Sequence, residues 1–523
     1  MAEQEQLLRT EGDWEQGPEL ARRPPSSEPR ARLKAVDRNQ RYWSEVCVEE
    51  LIPADHVARA IWELSGRLNV NEFLKENRSV EGKQGRDRWN PRLLVSVWVY
   101  SYSLGIGSAR EIERQMEHEP GLRWLTGNEV VNHHTLSDFR VGHGEALEKL
   151  FVEVLGVLSK EGLVNLEEVA QDGTKVRAVG GGSSLRREKT LREHLKQAEE
   201  LVEKLGQEKE EETQRRKTKK EAAQKRAAQE RKQRLEEALK ELEQIRASGK
   251  SQKEPEQARA SESEPQARVM KDGHGGYGPS YNVQATVETS HGIVVSVGIT
   301  QEYNDQGQLM PAIERMEEQL GQKPSRMIVD AGYINTSNLE ETADQEVDLI
   351  GPELPIDDRV ERNAKQSLEL AGIAAEFGQQ YFVVIDGGKA LQCPAGKRLE
   401  RTQKRNNCVV YRASGQDCCA CANVERCCPK SKARTVKLRN GKTALQAHQE
   451  RMRSEEAKAI YAQRGEVVEF LFAWMKEKSN LRKFHVRGLI KAGLEALWVV
   501  LTYNIQQWVR LRWRAALTLA TVN

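Results

Sequence analysis

The sequence predicts an α+β protein in which helices flank a mixed sheet, an all-helical domain precedes the sheet, and a coiled-coil arm is inserted into it. Three patterns support this class. Between residues 37 and 162, apolar residues recur at intervals of three and four, which is typical of amphipathic helices. Short β-branched runs bounded by turn residues follow Leu166 and Val269, which is typical of strands. Residues 185–247 are almost entirely Glu, Lys, Arg, Gln and Ala, which indicates a charged coiled coil.

Charge is distributed unevenly along the 523 residues, a length that predicts roughly three or four domains. The net charge of the whole chain is only +2, so it indicates no partner. Residues 397–439, however, contain 12 Lys or Arg against 3 Asp or Glu, and residues 470–523 contain 9 against 2. Basic segments of this size predict binding to a polyanion.

The cysteine pattern and the hydropathy predict a soluble protein in the reducing cytoplasm. Seven of the eight cysteines lie between Cys393 and Cys428, which does not resemble a disulfide framework in a chain of this length. The first 16 residues have no apolar core of the kind found in signal peptides. The longest apolar run, near Trp498, is too short to span a bilayer, so no membrane partner is expected.

The N-terminal part is predicted to be an arm followed by a helical domain. Residues 1–36 are polar and contain four prolines without periodicity, so they predict a disordered arm. Residues 37–162 predict short helices, with Asp55, Ser108 and Thr135 as N-cap residues. Short helices joined by tight turns fit either a DNA-binding helix-turn-helix module or a plain helical bundle.

The first strands are expected in residues 163–184. The run LEEVAQDGTKVRAVGGG predicts two short strands joined by a turn at Asp172-Gly173. Asp172 is therefore either a turn residue or a functional acid.

The charged insertion, residues 185–265, contains two heptad seams, Leu191–Leu205 and Leu235–Ile245. An antiparallel hairpin with its tip near Lys217–Lys220 would return the chain to the sheet that it left. A single long helix or a partly disordered charged arm remains the alternative. Either form would protrude and contact DNA or a second copy of the chain.

The sheet is predicted to continue in residues 266–385. Tyr281–Glu288 and Gly292–Thr300 predict a β-hairpin, and an apolar run ends abruptly at Asp330 before a predicted helix. An acidic residue at the carboxyl end of a strand is often an active-site group, although Asp330 is equally consistent with a helix-capping or turn residue.

Residues 386–440 form a basic, cysteine-rich insertion. Cys418 and Cys421 form a C-x2-C pair, Cys427 follows, and Cys393 opens the motif CPAGK. Four thiolates at this spacing predict a possible structural zinc site, while the alternative is a set of reduced thiols in a basic loop.

The last segment, residues 441–523, contains a predicted amphipathic helix at Tyr461–Lys478. Glu469 and Lys476 lie two helical turns apart and therefore point the same way, as a surface ion pair or as part of a site. Carboxylates from Asp172, Asp330 and Glu469 would come from three separate elements. Such a set can hold two divalent cations for in-line attack at phosphorus.

An ordered set of motifs resembles the DD(E) transposases of bacterial insertion sequences over about residues 36–510. The motifs are DGT at Asp172, RVMK at Arg268, YNVQ at Tyr281, ND at Asn304, DAGY at Asp330, CPAGK with C-x2-C-x5-C, and Y-x2-R…E-x6-K from Tyr461. The segment SAREIE…HHTLSDFR resembles the N-terminal domain of these proteins. The sequence departs from the family pattern in two places. Four residues instead of three separate Arg464 from Glu469, which makes Glu466 a second candidate acid, and polar Gln171 precedes Asp172.

The resemblance implies an RNase H-like catalytic core built from residues 163–184, 266–385 and 441–523. It implies Mg²⁺ or Mn²⁺ held by Asp172, Asp330 and Glu469. It also implies binding to terminal inverted repeats and target DNA by a nucleoid-associated homodimer or larger assembly. The implied supporting and DNA-binding residues are Tyr461, Arg464, Lys476, Arg482, Lys483 and Arg487.

The expected function is that of a transposase, which cleaves DNA at the terminal repeats and transfers the 3′-hydroxyl to target DNA. Two alternatives remain at this point. One is an RNase H-like nuclease that only cleaves, and the other is a non-catalytic zinc and coiled-coil protein that binds nucleic acid.

Overall fold

The computed structural model describes residues 39, 45–75, 88–211, 219–247, 257–271, 275–352, 366, 368–386, 389–405, 408–439 and 442–522. The chain divides into two compact units, Met1–Cys47 and Val48–Asn523, and all helices and strands named here belong to the second. The predicted disordered arm, residues 1–36, lies outside the described residues, as do two of the four residues of the predicted hairpin tip, 217 and 218.

The N-terminal part of the second unit is helical. Two 3₁₀ turns, Val48–Leu51 and Asn71–Leu74, accompany the helices α1 (Val57–Ser65), α2 (Pro91–Ser103), α3 (Ala109–Gln115), α4 (Pro120–Thr126), α5 (His133–Gly142) and α6 (Gly144–Lys160). Ser108 caps α3 as predicted, accepting a hydrogen bond from the Glu111 amide. The predicted caps at Asp55 and Thr135 are wrong. His56 caps α1 by accepting from the Ala58 amide, and Asn132 accepts from the His134 amide and starts α5 earlier.

The central strand of the main sheet is β1 (Glu168–Arg177). The predicted turn at Asp172-Gly173 is wrong, because all residues from Val169 to Arg177 pair with the antiparallel strand formed by Tyr277–Glu288. Gly173 is required for close approach instead. A Cβ there would overlap Gln284 Nε2 and lie 2.6 Å from Asp305 Oδ1.

The charged insertion folds as an antiparallel helical hairpin. After a 3₁₀ turn (Gly182–Ser184), the short strand β2 (Leu185–Arg186) leads into α7 (Glu188–Glu211); α8 (Lys219–Ala247) returns to β3 (Ala260–Ser261), which pairs with β2. Leu191, Leu235 and Leu242 are buried between the helices, as the heptad seams predict. Ion pairs Glu188–Arg246 (2.6 Å) and Glu199–Lys232 (3.5 Å) fix the antiparallel register.

The remaining strands of the main sheet complete an RNase H-like order. They are β4 (Arg268–Lys271), β5 (Tyr277–Glu288), β6 (Val294–Thr300), β7 (Arg326–Ile328) and β8 (Asp348–Ile350), with helices α9 (Leu309–Leu320) and α10 (Thr336–Asp344) between them. β6, β5, β1, β7 and β8 lie side by side, and β4 extends the edge of β5 beside β6. The pairs β6–β5 and β5–β1 are antiparallel, whereas β1–β7 and β7–β8 are parallel.

The cysteine-rich insertion contains a second sheet that the sequence did not predict. After 3₁₀ turns at Ala375–Phe377 and Gln379–Tyr381, five antiparallel strands follow in sequence order, with two short helices before the last. They are β9 (Val383–Ile385), β10 (Ala390–Gln392), β11 (Arg398–Arg405), β12 (Cys408–Ala413), α11 (Gly415–Cys419), α12 (Val424–Cys427) and β13 (Thr435–Arg439). Its buried core is small: Phe382, Leu391, Leu399, Tyr411, Ala413, Val436 and Leu438.

The C-terminal segment packs on the main sheet. Its elements are α13 (Lys442–Met452), α14 (Glu455–Ala462), a π-helical turn (Gly465–Glu469), α15 (Phe470–Glu477), α16 (Leu489–Trp508), a second π turn (Val509–Trp513) and α17 (Arg514–Val522). The predicted continuous helix at Tyr461–Lys478 is therefore interrupted. Residues of α15 and α16 share a core with Ala170, Val176 and Ala285 on one face of the sheet, while α9 packs with Val169 and Met327 on the other. None of the described helices combines the length and apolar composition of a bilayer crossing.

Candidate active site

Asp172 and Asp330 lie on either side of one cationic group. Asp172, in the middle of β1, accepts a hydrogen bond from Arg464 Nη2 at 2.7 Å, and the same Nη2 lies 4.0 Å from Asp330 Oδ2. Asp172 and Arg464 are both largely buried, with 16% of each side chain exposed. The structure therefore brings two of the three predicted carboxylates together and adds a direct contact with Arg464.

Asp330 occupies a tight turn just beyond β7, as expected for an acid that follows a strand. Its Oδ1 accepts from the Gly332 amide at 2.8 Å, and the Tyr333 amide donates to its backbone carbonyl at 3.2 Å. The residue that caps α10 is Asn335, which accepts from the Asn338 amide. Asp330 is thus held by its own turn and does not serve as the helix cap that the sequence left open.

The π-helical turn explains the additional residue between Arg464 and Glu469. In an α-helix, residues four apart lie on one face, whereas a π turn widens the repeat so that residues five apart do so. The turn Gly465–Glu469 packs against β1, the strand that carries Asp172. Glu469 is exposed, and its carboxyl group lies over Gly465, because a Cβ at that glycine would meet Glu469 Oε1 at 3.7 Å. Among the described residues, no hydrogen bond or ion pair joins Glu469 to Arg464, Asp172 or Asp330, so the structure brings together only the two aspartates.

Burial raises the pKa of Asp172 to about 6. The neighbouring carboxylates Asp330 and Asp305 raise this pKa further, while Arg464 and the Gly173 amide lower it. Like charges held close together in a partly dry site are typical of places that bind a cation.

Cationic side chains surround the same end of β1. Burial lowers the pKa of Lys476, as do the charges of Arg482 and Lys175, whereas Asp172 raises it. The Arg177 amide donates to the Arg482 carbonyl at 3.2 Å, and the Phe484 amide donates to the Arg177 carbonyl at 2.9 Å. Residues 482–484 therefore run alongside the last residue of β1, five positions beyond Asp172, and the Arg482 side chain pairs with Glu477. The sequence analysis does not single out Lys175, which lies three positions after Asp172 and whose charge lowers the pKa of Lys476.

Two other predicted residues, Tyr461 and Arg487, have no hydrogen bond or ion pair with the carboxylates among the described residues. Tyr461 is half-buried and packs against the main core. Arg487 is exposed, and no hydrogen bond or ion pair within the described part of the chain links it to the carboxylates.

The four predicted zinc ligands, Cys393, Cys418, Cys421 and Cys427, line one cavity of about 20 Å³ together with Cys428. A cavity of this size has room for about one water molecule. Within the residues that the structure describes, however, no group of three or more His, Cys, Asp or Glu side chains is arranged to hold a metal ion. The thiols converge, but neither the zinc prediction nor the prediction of a divalent cation at Asp172, Asp330 and Glu469 gains support from a preformed ligand set among the described residues.

Comparison with known families gives two matches. Residues 392–509 match the model of a transposase DDE domain, and residues 46–142 match that of a transposase domain (DUF772). No curated protein matches the chain. The first match includes Arg464, Glu469 and Lys476. It begins after Asp172 and Asp330 in the chain, so the place of these two residues in the site rests on the geometry above. These two matches, together with the RNase H-like order of the main sheet, indicate a DDE transposase of an insertion sequence.

Proposed function

We propose that this transposase cleaves DNA at the terminal inverted repeats of its element and transfers the 3′-hydroxyl end into target DNA. The observation that carries the proposal is the pair Asp172 and Asp330 flanking the single cationic group Arg464 Nη2. Two carboxylates that already share a cation supply the hard oxygen donors that Mg²⁺ and Mn²⁺ prefer.

Asp172, Asp330 and Glu469 would hold the divalent cations. When bound, such cations activate a water or a sugar hydroxyl and stabilise the leaving oxygen. Glu469 is the exposed member of the set.

The cationic residues would hold the DNA backbone. Lys476, whose pKa burial lowers and the charge of Asp172 raises, would contact a phosphate next to the scissile bond. Arg464 Nε is buried and has no hydrogen-bond partner among the described residues. Contacts of this kind make affinity for DNA decrease as salt concentration rises.

The other parts of the chain have proposed roles in assembly. The helices of residues 37–162 would bind the terminal repeats, and the α7–α8 hairpin would contact DNA or a second copy of the chain. The core would consist of residues 163–184, 266–385 and 441–523, with residues 386–440 inserted into it.

A mutant panel tests the proposal on DNA containing the inverted repeats that flank the gene. Asp172→Asn, Asp330→Asn and Glu469→Gln should each abolish Mg²⁺-dependent cleavage and retain DNA binding. Glu466→Gln is the matched control, because Glu466 is an exposed acid on the same π turn and should keep activity. Wild-type binding without cleavage would favour an architectural protein, and cleavage without joining would favour a nuclease.

A further inference from the structure

Behind the carboxylates, on the opposite face of β1, lies a set of buried polar side chains. Gln171, Gln284 and Thr286 are almost completely buried, and Tyr333 is fully buried beside them. Thr286 donates to Gln171 Oε1 across the β1–β5 ladder. This network accounts for the polar residue before Asp172, because Gln171 has hydrogen-bond partners in place of an apolar pocket.

One oxygen of Gln284 joins the two acidic segments. Gln284 Oε1 accepts from Gln171 Nε2 at 2.8 Å and also from the Tyr333 hydroxyl. Gln171 immediately precedes Asp172, and Tyr333 belongs to the tight turn that starts at Asp330. The shared acceptor therefore ties the backbone beside Asp172 to the turn that holds Asp330.

Asp305 determines which way the Gln284 amide faces. A carboxylate only accepts hydrogen bonds, so it selects the amide nitrogen and directs the oxygen away. Gln284 Nε2 donates to Asp305 Oδ1 at 2.7 Å, as does Asn282 Nδ2, also at 2.7 Å. Lys175 Nζ lies 3.1 Å from Asp305 Oδ2 and keeps this carboxylate paired.

We propose that Gln284, oriented by Asp305, is a positioning residue that sets the separation of Asp172 and Asp330 and thereby the affinity of the site for a divalent cation. The inference rests on the proposed function, since it takes these two aspartates to be metal ligands. A metal site tolerates displacements of only about 0.5 Å in its ligands, so a rigid link between the two segments has a direct effect on binding. The network contacts neither DNA nor metal itself, because it lies on the opposite face of the sheet from Arg464.

Tyr333→Phe is the least disruptive test, because it removes one hydroxyl and keeps the buried ring. The measurement is the rise in melting temperature of the full-length protein as Mn²⁺ is added, which reports binding without requiring catalysis. We expect the Mn²⁺ concentration needed for a given rise in melting temperature to increase about fivefold, as for the loss of one buried hydrogen bond. Gln284→Met, which removes every side-chain hydrogen bond of Gln284, should have a larger effect.

Tyr100→Phe is the matched control. Tyr100 is also a buried tyrosine that donates to a side-chain oxygen, Glu119 Oε1, at 2.9 Å, but it lies in the N-terminal helices. It should lower the melting temperature without changing the Mn²⁺ dependence.

Asp172→Asn separates the two possible failures. If Asp172→Asn abolishes the Mn²⁺ effect while Tyr333→Phe and Gln284→Met match Tyr100→Phe, the positioning role is overturned and the proposed function stands. If Asp172→Asn leaves the Mn²⁺ effect unchanged, the assignment of the metal ligands fails and the positioning role fails with it. Loss of Mn²⁺ affinity in Tyr333→Phe, with the Tyr100→Phe affinity intact, supports the inference.

Discussion

Arg464 donates to Asp172 at 2.7 Å through its Nη2, from a helix 292 residues further along the chain. The contact connects the central strand of the sheet to the C-terminal helices and neutralises a carboxylate that burial makes costly to ionise. It also places a cation where the proposed metal would bind, so Arg464 and a divalent cation compete for Asp172.

Replacing Arg464 should therefore strengthen the binding of a divalent cation. In Arg464→Gln, we expect a lower melting temperature without metal and a larger rise on adding Mn²⁺ than in wild type, because no guanidinium needs to be displaced. Arg451→Gln is a suitable control, since Arg451 forms ion pairs with Asp348 and Glu456 outside the site. An equal or smaller rise in Arg464→Gln than in wild type would contradict the competition.

The pH dependence of cleavage should follow Asp172. Its pKa is raised to about 6, chiefly by burial, so the carboxylate needed for a metal is lost as pH falls through about 6. Because the folded-state pKa lies above its ordinary value of 3.8, this group favours folding most at low pH, and that contribution declines as pH rises from 3.8 to about 6.

The measurement is the rate of Mg²⁺-dependent cleavage between pH 5 and 8, at about saturating DNA, for wild type and Arg464→Gln. Removal of the Arg464 charge should raise the pKa of Asp172 and move the midpoint to higher pH, whereas Arg451→Gln should leave the midpoint unchanged. A midpoint that moves lower or stays in place in Arg464→Gln would refute the assignment to Asp172.

The π turn should tolerate the loss of one residue. Deleting Glu466 leaves three residues between Arg464 and Glu469, which then lie four apart and share a face in an ordinary α-helix. We expect cleavage within about tenfold of wild type for this deletion. Inserting an alanine after Glu466 should instead rotate Glu469 by about 100° and lower cleavage about 100-fold or more. Helical content by circular dichroism would show whether both variants fold. A deletion variant that folds but does not cleave DNA would contradict the claim that the π turn only absorbs one extra residue.

The sequence singles out Asp172 and Asp330, which lie on either side of Arg464, but it does not predict how they are held. Asp330 was recognised because an apolar run ends at it, a pattern that is local. Asp172 was assigned to a turn because Asp-Gly is common in hairpins, and only the pairing with Tyr277–Glu288, about 110 residues later, makes it part of one strand. Local patterns carry no information about such a distant partner strand. The sequence therefore predicts a turn at Asp172-Gly173 where the structure has one continuous strand.

The same limit applies to the supporting residues. The spacing between Arg464 and Glu469 was visible as an anomaly, but the π turn that absorbs it depends on packing against β1. The motifs at Asn282, Gln284, Asp305 and Tyr333 were noticed only as a resemblance. In the fold, the four residues are joined by hydrogen bonds in one buried network.

Gly173→Ala tests this network from the strand beside it. The added methyl group would overlap Gln284 Nε2 and lie 2.6 Å from Asp305 Oδ1, so the Gln284–Asp305 hydrogen bond must break or β1 must shift away from β5. We expect destabilisation of about 1–3 kcal/mol, as for other overpacked positions. Gly156→Ala should change the free energy of unfolding in the opposite direction. Gly156 lies within α6, and nothing lies within 4 Å of an added Cβ, so alanine should stabilise that helix by about 0.5–1 kcal/mol. Urea unfolding of the two variants measures both changes. A neutral Gly173→Ala would mean that the close approach of Gln284 and Asp305 to β1 is not required for the fold.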